Sequence, residues 1–342
     1  MRALLKTVAI NLLVLFALLG ALFTYIILRG IEWPEDGSDF RSSLPNYQGI
    51  AWAAKHFKEI RELETEYYSY IGWRRKPFSG ETINVVGGHR ERRTVPQGDA
   101  ARPLVYFFGG STMWGSGADD ASTIPSLFAR ETGYRARNFA ESGYTAHQNL
   151  EMLLRLLQDG HRPDIVVFYD GVNEVAAKCR SEVGPHSTSR EGRFRQQIEA
   201  GVGTPSFYLL AVRKVFGPGD TQHGTQYDCD TNAAKADAIA AALLHDWQIA
   251  RTIAEARGIR FYAVLQPVSH FSKTKTEHLR LDAGLERQYR HLYPKIAAMV
   301  QKEGFASVAD AADADEYLYI DFSHLSPNGN LRVARKLATI VR

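Results

Sequence analysis

The sequence predicts an α/β protein with a doubly wound parallel sheet behind an N-terminal transmembrane helix. Apolar runs without alternation at Leu104–Phe108, Ile165–Tyr169 and Phe261–Leu265 are typical of strands buried on both faces. An uncharged run, Thr7–Leu28, precedes them. Helical patterns and two shorter strands alternate with the apolar runs, which favours parallel pairing. The predicted helices are Ile124–Thr132, Thr145–Gln158, Ala233–Arg257, His278–Lys302 and a last one capped by Ser326-Pro327, and the short strands are Arg135–Phe139 and Ala306–Ala309.

Composition excludes several classes of function. The 342 residues are 45% hydrophobic and 23% charged, as in ordinary folded domains. The 41 basic and 38 acidic residues are interspersed and leave a net charge of +3, so no nucleic-acid partner is predicted. The sequence has no His-Glu-x-x-His, Cys-x-x-Cys or Walker-type motif. We therefore predict no metal and no cofactor.

The uncharged run Thr7–Leu28 contains only three polar residues and, as a helix, spans the roughly 30 Å core of a bilayer. The alternative is a cleaved signal peptide, whose apolar region is usually shorter and whose cleavage site has small residues, unlike Tyr25–Arg29. Arg2 and Lys6 precede the run, which favours a cytoplasmic N-terminus. We expect residues 1–6 in the cytoplasm, 7–28 in a bacterial inner membrane, and the remainder in the periplasm.

Residues 29–102 are predicted to form a membrane-proximal linker with some helix and strand. Gln48–Tyr70 has helical spacing, and Thr82–Val86 is typical of a short strand. Basic residues cluster at Arg74–Lys76 and His89–Arg93. We interpret the second cluster as a solvated surface, with contact to anionic lipid or polysaccharide as the alternative.

Chemically useful residues follow the predicted strands, at the edge where open α/β sheets bind ligands. Ser111 comes directly after the strand in FFGGSTMWG, and Gly143 lies in the loop NFAESGYTAHQ. Asn173 follows the next strand in FYDGVNE. Asp321 stands three residues before His324 in DFSHLSPNGN, ahead of the last helix. This pattern predicts an active site built from separate parts of the chain.

These residue types suit acyl transfer. Ser111 is the candidate nucleophile, His324 its base, and Asp321 the group that orients the imidazole. The backbone N–H groups of Ser111 and Gly143 and the side-chain amide of Asn173 are candidate oxyanion donors. Taken singly, Gly-Gly-Ser also fits a tight turn or a phosphate-binding loop, and Asn173 after a glycine also fits a turn. Asp321 and His324 also fit a local surface pair before a helix cap. A nucleophile elbow, Gly-x-Ser-x-Gly, is excluded because methionine stands two residues after the serine.

At these positions the sequence resembles the SGNH, or GDSL-type, hydrolases. Ser111 matches the block I serine, Gly143 the block II glycine, Asn173 the block III asparagine, and Asp321 and His324 the block V Asp-x-x-His element. The resemblance covers roughly residues 103–342, which we assign as the catalytic domain. The sequence departs from the family pattern at three positions, which are Gly110 for the aspartate of GDSL, Ala140 for a block II glycine, and Glu174 for the aspartate after Asn173.

The resemblance implies a flavodoxin-like sheet and carboxylester hydrolysis or acyl transfer through an acyl-enzyme, without a cofactor. O-Acetyl groups on cell-envelope carbohydrate are the expected substrate, and a lipid or lysophospholipid ester is the alternative. A non-catalytic glycan-binding or assembly component that retained the fold is the alternative of another class. The sequence does not identify a protein partner.

One segment, Val175–Asp230, interrupts the regular alternation and contains both cysteines of the chain. Loops of this length inside a compact domain are usually functional. We expect it to form a lid or wall over Ser111, pinned by a Cys179–Cys229 disulfide. A surface excursion with two free thiols is the alternative.

Overall fold

The computed structural model of the protein describes residues 2–30, 39–188, 191 and 225–342. Helix α1, Arg2–Gly30, belongs to one compact unit, and residues 38–194 and 225–342 form the other. Within α1, Lys6–Tyr25 has a mean hydropathy of 2.3 and is long enough to cross a membrane. A signal sequence near an N-terminus can also form an apolar helix long enough to meet this criterion. The helix by itself is therefore compatible with both a membrane anchor and a signal sequence.

The larger unit is built on an eight-stranded sheet, of which five strands are parallel. In the order of the sheet, the parallel strands are β7 (Arg135–Asn138), β6 (Leu104–Gly109), β8 (Ile165–Asp170), β9 (Arg260–Leu265) and β10 (Ala306–Ser307). Numbered along the chain, this order is 2-1-3-4-5, which is the flavodoxin-like order. The predicted fold class is confirmed. The order reverses between β6 and β8, and ligands of such sheets bind at that point.

Helices cover both faces of the parallel strands. Tyr106, Phe108 and Phe168 point to one face, whereas Phe107 and Val167 point to the other, as the two-residue period of a strand requires. The first face packs against α5 (Ala146–Gln158), α7 (Ala233–Glu255) and α8 (Ala283–Lys302), and the second against α4 (Ile124–Thr132) and α9 (Pro327–Ile340). Both faces are therefore buried, which explains the uninterrupted apolar runs.

One predicted helix start differs from the structure, and one predicted cap lacks its hydrogen bond. Helix α8 begins at Ala283 and not at His278, because Asp282 caps it by accepting hydrogen bonds from the N–H groups of Gly284 and Leu285. Helix α9 begins after Ser326 as predicted, but the Ser326 hydroxyl makes no capping hydrogen bond. The start of α9 is held instead by the backbone N–H of Ser326, which donates to the carbonyl of Leu318 at 2.8 Å.

The region before β6 is part of the same unit. Strands β3 (Phe78–Ser79), β4 (Asn84–Val86) and β5 (Glu91–Arg92) extend the sheet beyond β7 in antiparallel pairing. The predicted helix Gln48–Tyr70 is present only as α2, Ala53–Glu62, and its last part is strand β1, Thr65–Tyr68, paired with β2, Gly72–Arg75. Aromatic side chains and alternating burial favour the strand there. Residue 103 therefore does not separate two folding units.

Most of the predicted insertion Val175–Asp230 lies outside the described residues, and so does the predicted lid over Ser111. Its first residues continue helix α6, Val172–Lys178, which follows β8. Its two cysteines are joined by a disulfide, with their Cα atoms 5.2 Å apart and both side chains fully buried. The disulfide connects the end of α6 to the segment that leads into α7.

Candidate active site

Two glycines at the end of β6 allow the ends of neighbouring strands to approach closely. A Cβ atom on Gly109 would lie 2.7 Å from the Tyr169 carbonyl oxygen, and one on Gly110 would lie 2.3 Å from Nδ2 of Asn173. Both distances are too short for a side chain. A side chain at Gly110, where the family pattern has aspartate, would therefore displace the Asn173 amide from its observed position. Ser111 follows directly as the first residue of the short helix α3, Ser111–Trp114.

Ser111, His324 and Asp321 form a continuous hydrogen-bonded chain. The Ser111 Oγ lies 2.6 Å from Nε2 of His324, and Nδ1 of His324 lies 2.6 Å from Oδ2 of Asp321. All three residues are half-buried, so the chain is open to a substrate on one side. The structure thus brings together the three residues that the sequence singled out for nucleophile, base and orienting group.

A tight loop explains the three-residue spacing of Asp321 and His324. Oδ1 of Asp321 accepts hydrogen bonds from the backbone N–H groups of Ser323 at 2.9 Å and His324 at 2.8 Å. The base of the loop is closed by the N–H of Ile320, which donates to the His324 carbonyl at 2.9 Å. One carboxylate therefore folds the loop with one oxygen and holds the imidazole with the other.

The same contacts keep Asp321 ionised. Burial opposes its charge, but the nearby His324 and the hydrogen bonds from His324 and Ser323 outweigh burial, so the pKa of Asp321 lies below its ordinary value. An ionised Asp321 favours a proton on Nδ1 of His324, which leaves Nε2 free to accept the Ser111 proton. It also stabilises the imidazolium that forms when this proton moves.

The predicted oxyanion donors come from the loops after β6, β7 and β8. Nδ2 of Asn173 donates one hydrogen to the Tyr144 carbonyl at 2.7 Å, which leaves its second hydrogen for a ligand. Gly143, with φ of 81°, directly precedes Tyr144 in the same loop. Among the described residues, the backbone N–H groups of Ser111 and Gly143 have no hydrogen-bond acceptor. Three donors thus remain available beside the serine, and their role in catalysis stays a prediction.

Glu174, the departure after Asn173, has a structural explanation. Its fully buried carboxylate accepts hydrogen bonds from the N–H of Ala146 at 2.8 Å and from the N–H of Gly171 at 2.9 Å. It thereby ties the start of α5 to the start of α6. Burial, together with the charge of Glu174, raises the pKa of the adjacent Asp170 well above its ordinary value.

Sequence reasoning missed a group of residues that support the site from strand β2. The fully buried Glu141 lies in the loop that carries Gly143, and it forms an ion pair with Arg75 of β2. Its carboxylate also accepts the N–H groups of Arg75 at 2.9 Å and Ser142 at 2.7 Å. The Arg75 guanidinium stacks 3.9 Å from the ring centre of Trp114, in the turn that carries Ser111. Arg75 thus contacts both the Gly143 loop and the serine turn.

The rest of β2 holds the same loop. The indole N–H of Trp73 donates to the Ser142 carbonyl at 2.9 Å, and the Tyr144 hydroxyl donates to the Trp73 carbonyl at 2.5 Å. The sequence around these basic residues contains no pattern that predicts their support of the Gly143 loop. Arg92, which we interpreted as part of a solvated cluster, is fully buried, pairs with Asp120 at 2.6 Å and stacks on Trp114. The surface interpretation is therefore wrong for Arg92.

Comparison with known proteins finds solved structures of low sequence identity. No family model and no curated protein matches the chain. The carbohydrate acetylesterase Est24 from Sinorhizobium meliloti is 14% identical with a TM-score of 0.41, covering 70% of this chain and 98% of that one. A carbohydrate acetylesterase family member from the same organism is 16% identical with a TM-score of 0.36, covering 70% and 97%. A member of the lipolytic protein G-D-S-L family from Veillonella parvula is 9% identical with a TM-score of 0.39, covering 70% and 97%.

At these values the similarity carries no argument about activity. The fold assignment rests on the strand order, and the assignment of the site rests on the hydrogen-bonded chain from Ser111 to Asp321.

We expect Asn173→Ala to lower kcat by roughly 10²–10³-fold, the usual scale for the loss of one oxyanion donor. KM should change much less, because the negative charge develops mainly in the transition state. Steady-state kinetics on an activated ester measures both constants, and a thermal unfolding curve checks that the variant is folded. An unchanged kcat would show that the amide does not face the reacting oxygen.

We expect Arg75→Met to lower kcat by about 10²-fold with little change in KM, since a small displacement of catalytic groups has effects of this size. Unfolding should also become easier, because the variant leaves Glu141 buried without its partner. Kinetics are therefore measured well below the midpoint of unfolding. Arg90→Met is the matched control, because Arg90 pairs with Glu66 in the same region but is half-exposed. If both variants lowered kcat equally, Arg75 would have no specific role.

Proposed function

We propose that the protein is a membrane-anchored serine esterase of SGNH type that removes or transfers O-acetyl or other acyl groups on carbohydrate outside the cytoplasm. One observation carries the proposal. The hydrogen-bonded chain of Ser111, His324 and Asp321 lies where the strand order of the sheet reverses, which is the ligand site of this architecture. The candidate nucleophile, base and orienting group are all present and hydrogen-bonded to one another, which favours an enzyme over a binding component that has lost its activity.

In the proposed reaction, the Ser111 oxygen attacks the ester carbonyl while its proton moves to Nε2 of His324. The carbonyl oxygen becomes an oxyanion and accepts hydrogen bonds from the N–H groups of Ser111 and Gly143 and from the Asn173 amide. The C–O bond to the alcohol then breaks, and His324 returns the proton to the departing alkoxide. The products of this half-reaction are the free alcohol and an acyl-enzyme on Ser111.

The second half-reaction determines whether the protein is an esterase or a transferase. If water attacks the acyl-enzyme, His324 takes its proton, the bond between the acyl carbon and the Ser111 oxygen breaks, and His324 returns the proton to that oxygen as the carboxylic acid leaves. If a sugar hydroxyl attacks, the same proton transfer produces a new ester. The groups on the protein are identical in both cases, so the acceptor makes the difference.

We propose that α1 anchors the chain in the bacterial inner membrane, with its N-terminus in the cytoplasm and the sheet domain in the periplasm. The length and hydropathy of Lys6–Tyr25 support a span, and Arg2 and Lys6 support this orientation. The Cys179–Cys229 disulfide supports an oxidising compartment.

The activity is tested with full-length protein in detergent and its Ser111→Ala variant. We expect a fluorophosphonate probe to label the wild type and not the variant, because only the serine hydroxyl can form the covalent bond. Acetate release from acetylated sugars and fatty-acid release from lysophospholipid are then measured in parallel. Release of acetate supports the carbohydrate ester, whereas release of fatty acid alone would replace it with a lipid ester. Equal labelling of both proteins would refute the nucleophile.

The anchor is tested by fractionation and by a reporter fused after Arg342. We expect the protein to remain in membranes after carbonate and high-salt washes, since a spanning helix does not depend on surface charge. A periplasm-dependent reporter such as alkaline phosphatase should be active. A soluble mature protein that begins near residue 30 would show that the segment is a signal peptide.

A further inference from the structure

A cavity of about 200 Å³ lies between the start of α5, the end of α6 and the middle of α7. None of the catalytic residues described above lines it. It is lined by His147, Lys178, His186, Ala242, His245 and Asp246, whose side chains include three imidazoles, an ammonium and a carboxylate.

The cavity lies at the edge of the sheet that carries the active site. Asp170, the last residue of β8, accepts hydrogen bonds from Asn149 of α5 at 2.6 Å and from Trp247 of α7 at 2.9 Å. These bonds place the first turn of α5 and the middle of α7 level with the end of β8. Asn173 and Lys178 are five residues apart on α6, which is roughly 8 Å along a helix axis.

Lys178 is the unusual member of the lining. It is 2% exposed, yet within the described parts of the chain no acceptor lies within hydrogen-bond or ion-pair distance of its Nζ. The nearby Lys235 shows the ordinary arrangement, since its Nζ donates to the Arg180 carbonyl at 2.7 Å and to Asp228 at 2.8 Å. Nζ of Lys178 is therefore free to donate hydrogen bonds to a ligand in the cavity.

The carboxylates near the cavity contact His147 and not Lys178. Asp246 is engaged by Nδ1 of His147 at 3.1 Å, and Glu151 lies 4.0 Å from Nε2 of the same imidazole. The hydrogen bond to Asp246 raises the pKa of His147, which favours a charged imidazolium between the two carboxylates. Among the described residues, Lys178 thus makes no hydrogen bond or ion pair with either carboxylate, and His186 and His245 offer further N–H donors to a ligand in the cavity.

We propose that this cavity is a subsite for an anionic group, a carboxylate or a phosphate, on a sugar next to the one that bears the acyl ester. The inference rests on the proposed function and narrows its substrate to acidic glycans. Lys178 supplies the charge that recognises the anion, and the imidazoles of the cavity supply additional donors. The short distance along α6 allows one oligosaccharide to occupy both the cavity and the space beside Ser111.

The test uses two acetylated disaccharides that differ only in the sugar next to the acetylated one, glucuronate in one and glucose in the other. We expect the wild type to prefer the glucuronate compound in kcat/KM. Lys178→Met, which keeps the length of the side chain without its charge, should lower kcat/KM for that compound about 10- to 100-fold, the scale of a lost charged hydrogen bond. Its kcat/KM for the glucose compound should not change. Lys235→Met is the matched control and should change neither.

A second measurement separates this inference from the proposed function. Binding of glucuronate and of glucose 6-phosphate to the Ser111→Ala protein is measured by calorimetry, with and without Lys178→Met. We expect binding of at least one anion that Lys178→Met weakens about tenfold or more, with no binding of glucose. If neither anion binds, or if Lys178→Met binds equally well, the subsite is refuted even when esterase activity is found. If the anion binds but no ester is cleaved, the subsite stands and the proposed reaction fails.

Discussion

The site depends on the absence of side chains at Gly109 and Gly110. Without Cβ atoms there, the end of β6 approaches the end of β8 closely enough for the Asn173 amide to lie against the residue before Ser111. Any larger residue at Gly110 would overlap with Nδ2 of Asn173 and separate a predicted oxyanion donor from the nucleophile. The strand order reverses between β6 and β8, so the loops that follow these two strands run in opposite directions and leave room for a substrate between them. A steric constraint on two residues thus fixes the distance between groups that are far apart in the chain.

The residues that carry chemistry could be predicted from the sequence because each has a local signature. Ser111 follows an apolar strand and two glycines, and the spacing of Asp321 and His324 closes a loop in which one carboxylate serves both backbone and imidazole. The parallel sheet could also be predicted, because strands buried on both faces give apolar runs without alternation. These features depend on short stretches of chain and on the periodicity of regular structure.

The supporting residues could not be predicted in the same way. Arg75 and Arg92 have the composition of a solvated surface, and only the tertiary structure reveals that Trp114 covers both guanidinium groups. The strands before β6 are two to four residues long, too short for a periodic pattern to identify. The buried ion pair next to the site joins Glu141 and Arg75, which are 66 positions apart in the sequence. A contact between such distant residues leaves no local sequence pattern. Strand β2, which lies in the predicted linker of residues 29–102, therefore contributes to the geometry of the Gly143 loop.

The Cys179–Cys229 disulfide links the two parts of the chain that carry the catalytic residues. Ser111, Gly143 and Asn173 all precede the first cysteine, whereas Asp321 and His324 follow the second. A single cut by a protease anywhere between the two cysteines would divide the polypeptide into one fragment with the nucleophile and another with its base. The sulfur bridge would still hold these fragments together, and the sheet strands of both would remain paired through β8 and β9. In an oxidising environment, a nicked molecule would thus retain a complete set of catalytic groups.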